Sequence, residues 1–454
     1  MGKLMTTACA LMAAAGASIP AFADDETPPP PPTVSGVTMT QAKDRKVTIE
    51  YTLADGPAVI TLDVQTNATP NAAADDPGWT SIGGEAIWNA AGDVWKKVEG
   101  DTTHTITWRP DQSWPGHKIT GNGARAVVTA WATNNTPDYM VVDLLGTKNV
   151  TFYPSADYLP KGLRGFSLEG AAVTNNIAFK TTSLVMRKIE AAGIRYQMGS
   201  SCEKGLTKTE YSDNPTRERL RWVRMSDNYY IGIFEVTQKQ WYNVTGTAKG
   251  KFAVDGDTRP VEMVGFSDIR GTEYGSDPSS SSFIGMLRGK TGLDFDLPSE
   301  AQWEFAARAG HPLGYWNDGS TITKQVYNSL DNGPQDANLN ALALYRQNRN
   351  GVSEEASASV ADGGTAYVGS YAPSSWGLYD MHGNVGEQVL DRISDVTTTF
   401  QENESDAPLA VGATRLTKGG AWPFGPQACR ASYRFAITSR HDVGLRLVCP
   451  VGIQ

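Results

Sequence analysis

The sequence predicts an α+β protein in two parts. An immunoglobulin- or fibronectin-like β-sandwich over residues 34–145 is followed by a mixed α/β domain over residues 183–454. Three observations predict it. Runs of period-two apolar alternation, separated by Gly, Asn, Asp and Pro, fill the first part. After Ser183 the texture changes to short strand-like runs, two capped helices and long Gly/Asn/Ser loops. A length of 454 residues also exceeds one ordinary domain.

Taken in order, residues 1–23 read as a secretory signal peptide. Lys3 gives the positive start, Leu4 to Ala17 is too short an apolar stretch to span a bilayer comfortably, and "AFA" ends at Ala23. No later segment is apolar and long enough for a transmembrane helix, so the mature chain is expected to be exported, to the periplasm or beyond the cell. Residues 24–33, "DDETPPPPPT", form a Pro-rich spacer that favours an extended polyproline rod. The sandwich strands are "KVTIEYTL", "AVITLDVQT", "THTITWRP", "ARAVVTAWAT" and "YMVVDLL". Nothing among them looks catalytic, and a spacer or adhesion role is expected. Residues 146–182 lack a steady period and read as a connector.

The first helix of the second part is "EVTQKQWYNVTG". Thr237 and Gln240 form a capping box, Trp241 faces inward and Gly246 stops it. The second, "LPSEAQWEFAARAG", is capped by Ser299 with Gln302, and Trp303, Ala306 and Ala307 share one face. Glu300 and Glu304, one turn apart, are expected to be solvated or structural rather than an acid/base pair.

Composition excludes several functions. A net charge of −9 argues against nucleic-acid binding, which needs a basic face. The five histidines, His104, His117, His311, His382 and His441, stand at no metal-ligand spacing. Removal of the signal peptide takes Cys9 and leaves Cys202, Cys429 and Cys449, so at most one intramolecular disulfide forms. Cys202 with Cys449 is the preferred pair and Cys202 with Cys429 the competitor, because connectivity cannot be read from sequence.

Seven motifs then occur in order: "MRKIEAAGIRYQMGS", "YYIGIFEVTQKQW", "RPVEMVGFSD", "DLPSEAQWEFAARAG", "WGLYDMHGNVGEQVLD", "KGGAW" and "CRASYR…GLRLV". Together they resemble the formylglycine-generating enzyme, or sulfatase-modifying factor, family over about residues 183–451. The resemblance implies a C-type-lectin-like variant of a mixed α/β fold and structural calcium. In active members it also implies copper- and oxygen-dependent conversion of a sulfatase cysteine to formylglycine.

The resemblance also implies which residues matter and where this chain departs. The second of the active enzymes' two cysteines falls on Cys429, the first on Phe424, and their serine on Ala421. Linear Cu(I) coordination wants two soft thiolates, so the copper pair is broken. Aromatic residues that flank the family glutamate fall on Gly386 and Gln388. Cys429 is therefore expected to be a small buried side chain, catalytic only if the chain is an active oxidase. Calcium is expected on Asp380, the carbonyls of Gly383 and Val385, and Glu387. A weaker second site falls on Asn328 and Asp362. Arg430, Arg434, Arg440 and Arg446 are expected as forks on buried carboxylates or carbonyls, with Arg446 in a closing strand and His382 at the surface. The expected function is a calcium-stabilised, non-catalytic binding or structural module for a protein, peptide or glycan. The alternative is a copper-dependent formylglycine-generating oxidase, or another oxidation on the same scaffold.

Overall fold

The structure, a computed structural model, describes residues 30–69, 71–100, 102–119, 122–160, 176–199, 218, 220–310, 337–349, 364–393, 405–409, 412, 414–436 and 441–453. The sandwich is built from β1 (Thr33–Gln41), β2 (Val47–Ala54), β3 (Ala58–Thr66), β4 (Thr102–Trp108) and β5 (Ala124–Ala132). In β2 the alternation resolves as the sequence predicts: Val47, Ile49, Tyr51 and Leu53 are buried while Glu50 and Thr52 face water. β1, β2 and β4 pair antiparallel in one sheet, and β3 pairs with β5 along its whole length in the other.

β3 is buried on both faces, which explains its continuous apolar run. Ile60, Leu62 and Val64 join the sandwich core. Val59 instead joins a second core with Met140, Phe152 and Leu184. The first core likewise runs on from Ile49 and Ile106 to Trp303 and Leu416, so the two halves of the chain share their interior.

The central sheet of the second half starts earlier than the periodicity places it. β6 (Tyr139–Asp143), β7 (Val150–Tyr153), β8 (Ser183–Ile189), β9 (Arg195–Met198), β10 (Arg221–Arg224) and β11 (Tyr229–Gly232) follow in sequence. They are joined later by β12 (Gly386–Ile393), β13 (Thr414–Lys418), β14 (Val443–Gly444) and β15 (Val448–Pro450). The five-stranded sheet runs β7-β6-β8-β11-β15 and is antiparallel throughout. β6, which alternation alone assigns to the sandwich, pairs with β8 rather than with a sandwich strand. β9 and β10 form a hairpin. β12 pairs antiparallel with β13 and parallel with β14.

Among the helices, α1 (Gln238–Thr245), α2 (Phe283–Thr291) and α3 (Glu300–Ala307) share the cores of these sheets, while α4 (Ala337–Leu342) packs through Leu339 on Tyr345 and Cys429. Both predicted capping boxes form, Thr237 with Gln240 and Ser299 with Gln302. Gly246 closes α1 in the left-handed region at φ 72°, a conformation that costs glycine nothing. Trp241, Trp303, Ala306 and Ala307 are all buried. Among the described residues no helix is long and apolar enough to cross a membrane.

Candidate functional site

The residues singled out in the sequence converge on the junction of the loop 376–385, β12, β13 and the segment 419–436. The loop turns back on itself repeatedly. Asp380 and Asn384 both sit at φ 56°, and Gly377 and Gly383 are also left-handed. Such conformations in non-glycine residues persist only where the surroundings hold them. Asn384 is so held: its carbonyl oxygen accepts from Ala366 N at 2.8 Å, and its amide donates to Glu235 at 2.6 Å. Glu235 also accepts from Val385 N at 3.1 Å. Glu235 is fully buried, and burial with the charges of Asp380 and Glu387 holds its carboxyl well above the usual range.

Of the four residues expected to ligate calcium, Asp380, Gly383 and Val385 stand along this loop and Glu387 at the start of β12, and the two carboxylates do different work. Asp380 accepts from Gly369 N at 2.5 Å through Oδ2, while its buried Oδ1 has no partner. Burial pushes its carboxyl up to about 6. Glu387 is committed. Arg446 donates to it through Nε at 3.0 Å and Nη2 at 2.7 Å, and the Trp303 indole donates to its other oxygen. Among the described residues no three His, Cys, Asp or Glu side chains are grouped as a metal cluster. Asn328 and Asp362, expected for a second calcium, lie outside the described residues.

Cys429 is fully buried against Leu339, Ala343 and Tyr345. Burial pushes its thiol up to about 12, so it stays protonated at neutral pH. Its sulfur lies 3.9 Å from the Gly425 carbonyl and also meets the Ala421 backbone. The position resembling the partner cysteine, Phe424, packs edge-on against Phe435 with centroids 5.4 Å apart. Ala421 is buried. The departure at Gly386 has a packing cause. A Cβ there would lie 2.6 Å from the Phe435 ring and 2.8 Å from Thr417, so Phe435 fills the space that a larger side chain would need. Gln388 points inward and donates to Val264 O at 2.8 Å.

Two expectations need correction. His382 is not at the surface: it is fully buried, and its Nδ1 lies 2.6 Å from the Cys429 carbonyl. The loop's reversals carry it inward, which a one-dimensional pattern cannot show. Arg446 lies between β14 and β15 rather than in a closing strand, with its guanidinium spanning Glu387, Gly232 O and Tyr379 O. Its expected role as a buried fork holds, as it does for Arg430 on Glu218 and Arg434 on Glu300. Arg440 and Cys202 lie outside the described residues. Cys449 is a free thiol, buried in the second core and pushed up to about 12 by that burial.

Sequence reasoning missed Glu218, Glu235 and Lys418. Glu235 had a signal: a lone carboxylate in the apolar run "YYIGIFEV" has no solvated face to occupy and must be bonded inside. Glu300 and Glu304 are buried and structural. Burial raises Glu300, but Arg434 and Lys418 outweigh it and bring the carboxyl down to about 2.

Comparison with known proteins places this geometry. A family model described as "Sulfatase-modifying factor enzyme 1-like domain" matches residues 191–451. The chain belongs to this family. Its sequence is 28% identical over 273 residues to the chaperone protein LppX of Paenibacillus barcinonensis, covering 53% of this chain and 84% of that one. It is 29% identical over 154 residues to a formylglycine-generating enzyme of Thermomonospora curvata, covering 32% of this chain and 43% of that enzyme. Among solved structures, Treponema denticola variable protein 1 aligns with a TM-score of 0.43 at 23% identity, over 59% of this chain and 96% of that one. PvdO from Pseudomonas aeruginosa aligns with a TM-score of 0.42 at 19% identity, over 59% and 94%.

Proposed function

We propose that this chain is an exported, non-catalytic binding module of the sulfatase-modifying-factor family, acting on another protein rather than on a sulfatase cysteine. The observation that carries the reading is the state of Cys429. A copper oxidase of this type needs a pair of accessible thiolates, and here one position is Phe424 while the remaining thiol is sealed and protonated. The relative named as a chaperone, matched over most of its length, supports a protein-binding role.

Calcium is part of the proposal. Asp380 offers an unpartnered buried oxygen, which a hard cation would satisfy. The Gly383 and Val385 carbonyls and Glu387 would complete the set, with Glu387 shared with Arg446.

The test has three arms on the full mature chain. Cu(I) titration against a chromogenic competitor, with aldehyde detection on a cysteine peptide, is expected to give neither stoichiometric copper nor product. Residue-resolved alkylation at pH 8 is expected to leave Cys429 unmodified until the chain is unfolded. Suppression of aggregation of heated citrate synthase is expected at stoichiometric ratios. Copper binding lost in Cys429→Ser together with aldehyde product would replace this reading with the oxidase. For calcium, EDTA and Asp380→Ala are each expected to lower Tm, and no change with either removes the metal from the proposal.

A further inference from the structure

A second site lies far from Cys429, at one end of the sandwich. A cavity of 490 Å³ opens between the β1–β2 turn and the segment that follows β4. This volume lies within the range of small-ligand sites, about 300–1,000 Å³. Its floor is apolar and includes Val47 and Trp108, both buried. Its wall is flat. The Trp114 indole and His117 imidazole stack with centroids 3.9 Å apart and planes 9° from parallel. Trp114 is half-buried against the core, and His117 lies exposed over it.

The charges around this cavity are unbalanced in a specific way. Both nearby carboxylates are already occupied: Arg109 holds Asp44 at 3.4 Å and Asp111 at 3.0 Å. Arg45 and Lys118 also line the cavity. Among the described residues neither side chain makes an ion pair or a hydrogen bond. Arg45, Lys118 and Arg109 together exceed Asp44 and Asp111 by one positive charge beside this apolar-floored cavity. The backbone adds an independent observation. Arg45 sits at φ 69°, a conformation that glycine or asparagine would take at little cost. This conformation closes the β1–β2 turn, in which Arg45 N donates to Ala42 O at 2.9 Å, and it sets the Arg45 side chain beside the cavity.

We propose that this cavity binds an acidic saccharide. A sugar ring presents an apolar face that suits a flat aromatic wall, and its hydroxyls suit Gln41 at the rim. Its carboxylate or sulfate would be held by Arg45 and Lys118, as charge-assisted contacts. The sandwich would then be a glycan anchor for the binding module rather than a spacer. The proposal does not depend on the chemistry at Cys429, so the two stand or fall separately.

The experiment is calorimetric titration of the full mature chain with four probes: hexagalacturonate, a heparin hexasaccharide, maltohexaose and sodium sulfate. Saturable binding is expected with at least one of the two acidic sugars, and which one distinguishes carboxylate from sulfate. Maltohexaose is expected to bind about tenfold more weakly or not at all, since it lacks the charge-assisted contacts. Sulfate alone is expected not to saturate the site. Arg45→Gln and Lys118→Gln are each expected to weaken binding about tenfold with Tm unchanged or, for Arg45, slightly altered by the strained turn. Trp114→Ala also removes core packing, so exposed His117→Ala is the informative test of the stack and is expected to weaken binding while the fold persists. Failure of both acidic sugars to bind, equal binding of maltohexaose, or full affinity in both charge variants overturns the proposal.

Discussion

At the scale of single residues, Glu262 shows how burial turns a carboxylate into a pH-dependent liability. Its side chain is fully buried and accepts the backbone N–H of Phe252 at 3.0 Å and that of Lys251, while Oε2 has no partner. Burial pushes its carboxyl from an ordinary 4.5 up to about 7. The folded state thus holds this proton more tightly than the unfolded chain does. The stabilisation is fully present below about 4.5 and is lost as pH rises through about 7. Glu262→Gln stays neutral, keeps an acceptor for both N–H groups and places its amide where Oε2 now stands. We expect it to raise stability at pH 8 by about 2–3 kcal/mol and to change little at pH 5. Urea midpoints at the two pH values measure this, and a variant that tracks the wild type at pH 8 contradicts it. Nothing in "RPVEMVGF" marks Glu262 as buried except its apolar neighbours. The same cue was available for Glu235.

At the scale of elements, the helices were the most legible feature, because a cap is a local device. Ser299 and Gln302 satisfy the free N–H groups of α3 whatever the rest of the chain does. What the helix carries was only partly legible. Glu300 and Glu304 read as solvated or structural, and the structural alternative holds: both are buried because Lys418 of β13 and Arg434, more than a hundred residues later, come to meet them. Long-range pairing of this kind leaves no periodic trace. Lys418 bonds Glu300 at 3.2 Å and Glu304 at 3.1 Å and is itself fully buried. Lys418→Met keeps the stem but leaves two buried carboxylates short of one cation. Removing one partner of a buried ion pair typically costs ~3–5 kcal/mol. Arg434 and Arg308 remain, so we expect the lower end of that range, about 3 kcal/mol by urea denaturation. A loss below about 1 kcal/mol would mean that the remaining cations absorb the charge and that Lys418 is no keystone.

At the scale of the whole molecule, the sequence separates two halves that the fold joins. Alternating apolar residues mark a strand, but they do not say which sheet it enters. "YMVVDLL" therefore reads as the sandwich's last strand, whereas β6 lies inside the five-stranded sheet between β7 and β8. The registers Leu184↔Val142 and Phe152↔Met140 bind it on both sides. Val59 and Trp131 of the sandwich pack on the same core. Truncation distinguishes the two boundaries. A chain cut after residue 145 lacks β6, so β7 loses its only sheet partner and β8 becomes an exposed apolar edge. A chain starting at residue 133 keeps the sheet whole, with the buried bonds of Thr136 to Tyr230 and Lys188, and loses the sandwich strands that pack against it. We expect the longer piece to retain the tertiary near-ultraviolet signal of its buried tryptophans, at reduced Tm. The shorter piece is expected to aggregate or to lose that signal while keeping secondary structure. Equal behaviour of the two pieces would mean that β6 is dispensable and that the sheet is organised around β8 and β11 alone.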